Sequence, residues 1–273
     1  CCVRLWMMKD HEQREESELP EVKRLDLAEV VLSLKAAGVG DLTRFRWLEP
    51  PEPRALARAV ELLGDLGALD HGGHITDLGR RMIAFPVHPR YARLLLEAER
   101  LGCVKAACWL ASLTQGRGLL VKSTSREMDK RRDEMLRDGA DSDVLVQLRA
   151  FSVARKSGFD PARGRALGIH MQSARQAAQL AEKFEDIARA EGLNVSDTPP
   201  PEHAMEKCML AAFPDHLAKR LDRGTLRCDL VHARRGTLAR ESVVTNELFV
   251  AGEITEIGGR EGDVQTLLTL ASP

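Results

Sequence analysis

Apolar residues at helical spacing mark the first regular element of this chain. Leu27, Val30, Val31 and Leu34 recur at intervals of three and four residues, so they share one face of a helix. Gly38 comes shortly after the last of them, and glycine is the residue that most often ends a helix. The pattern predicts an amphipathic helix that ends near Gly38.

A second helix follows a proline-rich stretch and leads into a compact turn. Prolines stand at positions 50, 51 and 53, and apolar residues then recur on one face as far as position 66. Two glycines between His71 and His74 separate Leu69 from Ile75, which predicts two short strands around a tight turn. Thr76 precedes a short helix that ends before Pro86. Helices combined with a small β-wing predict a winged-helix unit over residues 24–88.

The middle third of the chain has helical periodicity throughout, and the β-prone sequence is confined to the end. A helical bundle is predicted over residues 89–198, with helices at 91–101, 103–113, 125–137, 142–156 and 169–191. After one more helix at 202–212, short β-prone runs occur at 226–233, 237–239, 248–257 and 264–270, with glycines between them. Such runs predict a small antiparallel barrel or sandwich over residues 199–273. The expected fold is therefore mainly α with a small β part, and the acid-rich residues 8–21 are expected to form an exposed connector.

Composition excludes several classes of protein. The 273 residues include 40 Lys+Arg and 41 Asp+Glu, a balance that argues against a polybasic nucleic-acid arm but excludes no local patch. No apolar run approaches the ~18 residues of a membrane span, so no membrane association is expected. The six cysteines include no C-x-x-C pair and indicate free thiols in a reducing compartment, which we expect to be the cytoplasm. Because the chain begins at Cys1 with apolar residues close behind, we expect it to be a piece of a longer protein.

Motifs for catalysis or metal binding are missing from the sequence. Residues 118–123 are similar to the end of a phosphate-binding loop, but Val121 stands where such a loop requires glycine. His71 and His74 lie at a turn with no third ligand nearby, so a wing-tip turn is the better interpretation than a metal site. We therefore predict no catalytic residue, no metal site and no cofactor for this chain.

Local charge gives the positive signal. Residues 144–175 carry six basic residues and one acid, and residues 214–240 carry seven basic residues and three acids. Basic stretches bind phosphate backbones without reading sequence, because binding releases counterions. Aromatic residues near these stretches are few, so base stacking should contribute little. A solvated helix or strand face remains the alternative explanation for either stretch.

Several motifs together resemble the region that follows the motor in DEAH-box RNA helicases. They are RLDLAEVVLSLK at 24–35, LEPP at 48–51, LGAL at 66–69 and ITDLGRRMIAFPVHP at 75–89. The segment at 2–6 is similar to the family sequence just beyond the last motor motif. The segments AAFPDHLA at 211–218 and ARRGTLA at 233–239 resemble the bacterial HrpB-type subgroup. The resemblance is strongest over 24–112 and weakest over 115–200.

The resemblance implies a fold, an activity and partners. In this family two RecA-like motor domains precede a winged helix, a helical ratchet (HA2) domain and an OB-fold, which would occupy 24–88, 89–198 and 199–273, with the end of the motor or its linker at 1–23. The parent enzyme would hydrolyse ATP with Mg²⁺ and move along RNA. The phosphate-binding loop and the DEAH box belong to the motor and are not in this sequence, so we expect this piece to be inactive alone. Its partners would be single-stranded RNA, or DNA, its own motor domains and an activator protein.

The basic stretches then provide candidate nucleic-acid contacts. In the ratchet these are Arg149, Arg155, Lys156 and Arg163, and in the OB-like part they are Arg227, Arg234 and Arg235. Arg80 and Arg81, in the helix from position 77, are the candidates for docking on the motor. These choices rest on charge alone.

Two other functions remain open. The chain could serve mainly as a docking platform for a helicase activator, which an exposed apolar groove would favour over a continuous basic channel. It could also be a free-standing winged-helix regulator, but the second helix carries only Arg54 and Arg58 as basic residues.

Overall fold

The computed structural model of the chain describes residues 3, 5–13, 20–23, 26–115, 118–201, 203–222, 224–258 and 264–273. About half of the chain is helical, and five strands close into a barrel. Among the described residues, no helix has the length and apolar character needed to cross a membrane. Some positions used in the sequence analysis lie outside the described residues. They are Cys1, Cys2, Arg4, Arg24, Leu25, Arg223 and residues 259–263 of the last glycine-rich turn.

The winged-helix part consists of three helices in the order predicted. A short helix, α1 (Met8–Glu12), lies before it, and α2 (Ala28–Ala36), α3 (Pro53–Asp65) and α4 (Asp77–Met82) follow. Pro53 occupies the first turn of α3, where its missing N–H costs nothing. The hydroxyl of Thr76 accepts the Gly79 amide and caps α4.

The predicted wing is reduced to one β-bridge, between Leu69 and Ile75. The carboxylate of Asp70 accepts the amides of Gly72 and His74 at 2.8 and 2.9 Å, which closes the turn tightly. Thr76 already begins the cap of α4, so the pairing has no room to extend. The expectation of two short strands is therefore wrong in extent, although the tight turn is present.

The middle of the chain is helical, as predicted. Its helices are α5 (Pro89–Leu101), α6 (Val104–Thr114), α7 (Arg126–Arg132), α8 (Asp143–Lys156), α9 (Pro161–Leu167) and α10 (Met171–Ala190), and α11 (Ala204–Ala212) follows. Gly102 separates α5 from α6 in a left-handed conformation with φ 71°. A π-helical turn, Asp133–Arg137, continues α7. Among these helices, the short α9 is the one that the sequence pattern did not predict.

The five strands form a closed barrel. They are β1 (Leu217–Arg220), β2 (Arg227–Leu230), β3 (Arg234–Leu238), β4 (Leu248–Gly258) and β5 (Val264–Ser272). Around the barrel the order is β1-β2-β3-β5-β4, and β4 pairs back to β1. The pairs are antiparallel except β3 with β5, which is parallel. The sequence pattern did not predict β1. Because the five strands close into a barrel, the alternative of a two-sheet sandwich is excluded.

Three apolar cores hold these elements together. The largest joins α2 and α3 to α5, α6, the end of α10 and α11, with Leu63, Leu95 and Met209 fully buried in it. A second core lies between α6, α8, α9 and the first half of α10. The third fills the barrel. Because α5 and α11 pack in the same core as the winged helix, these elements form one rigid base for the barrel.

Candidate nucleic-acid interface

A buried ion pair fixes the barrel on this helical base. Arg90 of α5 donates two hydrogen bonds to the carboxylate of Asp215, at 2.6 and 2.7 Å, and a third to the carbonyl of Ala212. Burial alone raises the pKa of Asp215, but the hydrogen bonds and charge of Arg90 outweigh burial and hold that pKa below its ordinary value. Asp215 stands in the turn between α11 and β1, so the pair determines how the barrel leaves the helices.

His216 completes this junction as a neutral side chain. Its Nδ1 lies 3.0 Å from the Ala251 carbonyl of β4, and its ring stacks near Phe213. Burial, followed by the charge of the nearby Arg90 guanidinium, lowers the pKa of His216 to about 4 against the opposite effect of Asp215. A neutral imidazole can therefore donate from Nδ1 to that carbonyl at physiological pH.

The outer face of β2 and β3 presents two of the predicted arginines. Arg227 pairs with Thr237 and Asp229 pairs with Arg235 across the two strands, so these four side chains share one face. The opposite face carries Cys228, Leu230 and Leu238, which are buried in the barrel. Arg227 and Arg235 are exposed, and Arg235 Nε lies 3.1 Å from the Asp229 carboxylate. We call the outer face of these strands the β2–β3 face.

Arg234 is separated from this face although it is adjacent to Arg235 in sequence. Its register partner is the inward-facing Leu230, at the end of the barrel. From there its guanidinium donates to the Asp215 carbonyl and lies 4.0 Å from the Asp215 carboxylate. Arg234 thus contributes to the junction with the helical base.

The basic residues predicted in the helical part have three different environments. Arg149 donates to the carbonyls of Leu136 and Asp138 at 3.1 and 2.7 Å and so closes the end of the π-helical turn. Arg163 is exposed and reaches the same turn through a contact of 3.6 Å to the Met135 sulfur. These two arginines therefore converge on one turn of the surface.

The other two residues lie at the end of α8. The Arg155 guanidinium is stacked 4.9 Å from the centre of the Trp109 ring and 5.8 Å from that of Phe151. Its Nη1 is buried and has no hydrogen-bond partner among the described residues. Lys156 is exposed.

The candidate motor-docking arginines lie on α4. Arg80 lies 3.7 Å from Asp77, and Arg81 pairs with Glu99 of α5 at 2.7 Å. Both side chains are more than half exposed. They are accessible on the winged-helix part and do not join the basic residues of the barrel.

A polar groove that the sequence did not reveal runs between the helical part and the barrel. Its cavity volume is ≈ 630 Å³, its cationic lining residues are Lys122, Arg132, Arg137 and Arg240, and its acidic ones include Asp129, Asp143 and Glu241. Glu253 also lines the groove, where burial raises its pKa and the Thr269 hydroxyl donates to it at 2.9 Å. In the sequence, Arg240 belongs to the basic stretch at 214–240, whereas Lys122, Arg132 and Arg137 lie outside both basic stretches.

The groove is held open by contacts between α8 and the barrel. Asp143, in the first turn of α8, accepts the amides of Val243 and Ala271 at 2.8 and 3.1 Å. Ser142 and Ser272 form a buried hydrogen bond of 2.9 Å beside it. The two sides of the groove are thus fixed relative to one another.

Arg132, on the floor of the groove, has a structural function. It is 4% exposed and donates to the carbonyls of Val121, Leu167 and Gly168. A Cβ on Gly168, whose φ is 60°, would lie 2.1 Å from the Arg132 guanidinium. Residues 118–123, which are similar to a phosphate loop in sequence, are therefore an extended segment held by this arginine and by the bridge from Leu120 to Ile169.

An apolar groove lies on the winged-helix part, between α3 and the loop before it. Its cavity volume is ≈ 570 Å³, and it is lined mainly by Leu42, Trp47, Pro50, Pro51, Pro53, Leu56 and Val60. Leu48, in the same loop, is fully exposed at 102%. Exposed apolar surface of this kind is typical of a protein-binding site.

Comparisons with known proteins agree with this architecture in part of the chain. Residues 59–87 match the helicase associated domain (HA2), winged-helix. The probable ATP-dependent RNA helicase DHX35 of Homo sapiens is 36% identical over 121 residues, which cover 44% of this chain and 17% of that protein. The corresponding protein of Pongo abelii gives the same values. The match thus spans about a sixth of the length of these relatives.

Proposed function

We propose that this chain grips single-stranded RNA beside its own motor domains during unwinding, because it contains the C-terminal type of winged-helix module found in DEAH-box RNA helicases. The helical middle acts as the ratchet and the barrel as an OB-fold, in the manner of the HrpB-type subgroup. ATP and Mg²⁺ act at the motor, outside these residues, and the expected compartment is the cytoplasm. Arg80 and Arg81 are the proposed contacts to the motor.

The topology of the barrel is the observation that carries this proposal. Five-stranded OB barrels bind oligonucleotides on the face of strands 2 and 3. The order β1-β2-β3-β5-β4, with β3 parallel to β5, is consistent with that type of barrel. Arg227 and Arg235 lie on the corresponding face, where their guanidinium groups can contact phosphates.

The polar groove extends the proposed RNA path beyond the β2–β3 face. Lys122, Arg137 and Arg240 line it, and Arg240 follows the end of β3 closely in sequence. Arg163 and Lys156 add exposed charge on the helical side. Arg149 and Arg155 support this side indirectly, because their guanidinium groups are engaged by carbonyls and aromatic rings.

A salt titration of single-stranded RNA binding tests the proposal. Replacing Arg227 or Arg235 by alanine should weaken binding equally for different RNA sequences and should lower the slope of log K against log[salt] by about 0.7 for each phosphate that is no longer neutralised. Arg44→Ala is the matched control, because Arg44 is also an exposed arginine paired with an aspartate, at 3.4 Å. Unchanged affinity and slope in both barrel variants would contradict the proposal.

The apolar groove supports a second function, which is docking of an activator protein. In the full-length parent enzyme, Leu48→Glu should then reduce stimulation by the activator and leave the affinity for RNA unchanged. An equal loss of both would place the loop in RNA binding instead.

Packing of the barrel on α3 argues against the third function, a free-standing winged-helix regulator. His232 of the β2–β3 hairpin contacts Glu61 and Asp65 on α3, at 3.1 and 2.9 Å.

A further inference from the structure

Two buried thiols from distant parts of the sequence meet inside the largest core. The sulfur atoms of Cys103 and Cys208 are 3.8 Å apart, and 105 positions separate the two residues. Cys103 is 3% exposed and Cys208 is fully buried. Both are free thiols, and neither lies in the polar groove or on the β2–β3 face.

The local backbone leaves the Cys103 thiol able to approach its neighbour. Cys103 precedes the first residue of α6 and follows Gly102, and its side chain makes no capping hydrogen bond. Cys208 lies in the middle of α11, which packs against α5. The sulfurs of a disulfide are 2.03–2.05 Å apart, so a closure of about 1.8 Å joins them. Side-chain rotation and a small backbone shift at Gly102 can supply that movement.

Contact between the two thiols shifts their pKa values in opposite directions. The hydrogen bond with Cys208 lowers the pKa of Cys103 in spite of burial. The same hydrogen bond and burial raise the pKa of Cys208. Cys108, further along α6, has its pKa raised to about 12 by burial. Cys103 is therefore the thiol that most readily becomes the nucleophilic thiolate.

We propose that Cys103 and Cys208 are a modification site at which a peroxide forms a reversible disulfide. The Cys103 thiolate attacks one peroxide oxygen, the O–O bond breaks, and hydroxide leaves, so Cys103 becomes a sulfenic acid. The Cys208 sulfur then attacks the Cys103 sulfur, and the sulfenic oxygen leaves as water with the Cys208 proton. Two thiols and one hydrogen peroxide thus give one disulfide and two waters.

The bond would tie the barrel more firmly to the helical base. It closes a loop that contains α6 to α10, and α11 leads directly into the turn that carries Asp215. Loops of about 100 residues give a large reduction of unfolded-state entropy on closure. Oxidation should therefore raise the midpoint of thermal unfolding by about 5–10 °C, and a dithiol reductant should reverse the rise.

The test is hydrogen peroxide treatment of the 273-residue chain, followed by non-reducing peptide mapping by mass spectrometry and by thermal unfolding. We expect a cross-linked peptide pair joining positions 103 and 208, together with the rise in midpoint. Cys108→Ser is the matched control, because it removes a buried thiol of α6 for which no sulfur contact is found within the described part of the chain. It should keep both effects.

Cys208→Ala should lose both the cross-linked peptide and the rise in midpoint. Cys103→Ser, at the helix start, is the second variant should the core substitution prevent folding. The inference is overturned if the wild-type chain keeps both residues as thiols under peroxide, or if Cys103 is oxidised to a sulfinic acid without joining Cys208. A rise in midpoint that persists in both single variants would also overturn it.

Discussion

Removing the charge of Asp215 should loosen the barrel from the helical base. In Asp215→Asn the side chain keeps its shape, but the Arg90 guanidinium loses its anionic partner. The two side chains are only 13% and 14% exposed, so solvent cannot replace the ion pair efficiently. Arg90 would retain the Ala212 carbonyl and the face of the Phe213 ring, 5.4 Å away.

The expected cost follows from the burial of this pair. Breaking a buried ion pair by changing one partner typically costs 3–5 kcal/mol, because it leaves an unpaired buried charge. The retained contacts of Arg90 reduce this, so we expect a loss of about 3 kcal/mol in the free energy of unfolding. Because the folded-state pKa of Asp215 is lowered, the stability that the pair contributes is present above the unfolded pKa and is lost as pH falls through the folded value. Asp215→Asn should remove this part of the acid sensitivity.

Urea unfolding at neutral pH, followed by tryptophan fluorescence and circular dichroism, measures the loss. Glu247→Gln is the control, because it breaks an exposed pair with Lys219 in the same barrel and should cost less than about 0.5 kcal/mol. A cost below about 1 kcal/mol for Asp215→Asn would refute the reasoning, since it would mean that the pair is solvated or that the barrel does not depend on it.

Three further predictions concern the same framework. Burial and then the Arg90 charge lower the His216 pKa to about 4, so the wild type should lose about 3 kcal/mol in the free energy of unfolding as pH falls from about 6.5 to about 4. His216→Gln should abolish this loss, which urea unfolding across that pH range measures. Gly168→Ala should lower the free energy of unfolding by about 3 kcal/mol or more, because the added methyl group displaces Arg132. Gly139→Ala is the control: its φ is 59° but the space around it is open, so the same assay should show a loss of about 1 kcal/mol. Asp143→Ala should lower the free energy of unfolding by about 2–3 kcal/mol, because the Asp143 carboxylate accepts the amides of Val243 and Ala271. Hydrogen exchange of these two amides should become faster, and unchanged exchange would contradict the proposed attachment of α8 to the barrel.

The helices could be predicted where periodicity was long, and the elements that were missed are short. α10 spans 20 residues with a continuous apolar stripe, and its predicted bounds differ from the observed ones by two residues or fewer. α9 has seven residues, begins at Pro161 and contains Gly164, so its sequence pattern favours a loop. β1 has four residues, of which only Ala218 is buried, and therefore shows no clear alternation. Barrel closure depends on pairing β4 with β1, which local sequence does not encode.

The sequence predicts which stretches of the candidate interface are basic, but not which side chains lie on the same surface. Arg234 and Arg235 are equivalent in composition, and only the strand register separates them onto opposite faces. Arg132 lies in α7, where charged residues of both signs dominate the sequence, yet its guanidinium is buried against carbonyls 35 and 36 positions away. Such contacts between distant residues also create the polar groove, which joins residues from 113 to 270.

The most direct measurement of the central claim is a hydrogen-exchange footprint of the chain with a short single-stranded RNA. The β2–β3 face and the barrel side of the polar groove should gain protection, while the loop that carries Leu48 should not change. Protection should disappear at high salt, because the proposed contacts are to phosphates. Protection confined to the Leu48 loop and α3, with none on the barrel, would contradict RNA gripping by this module.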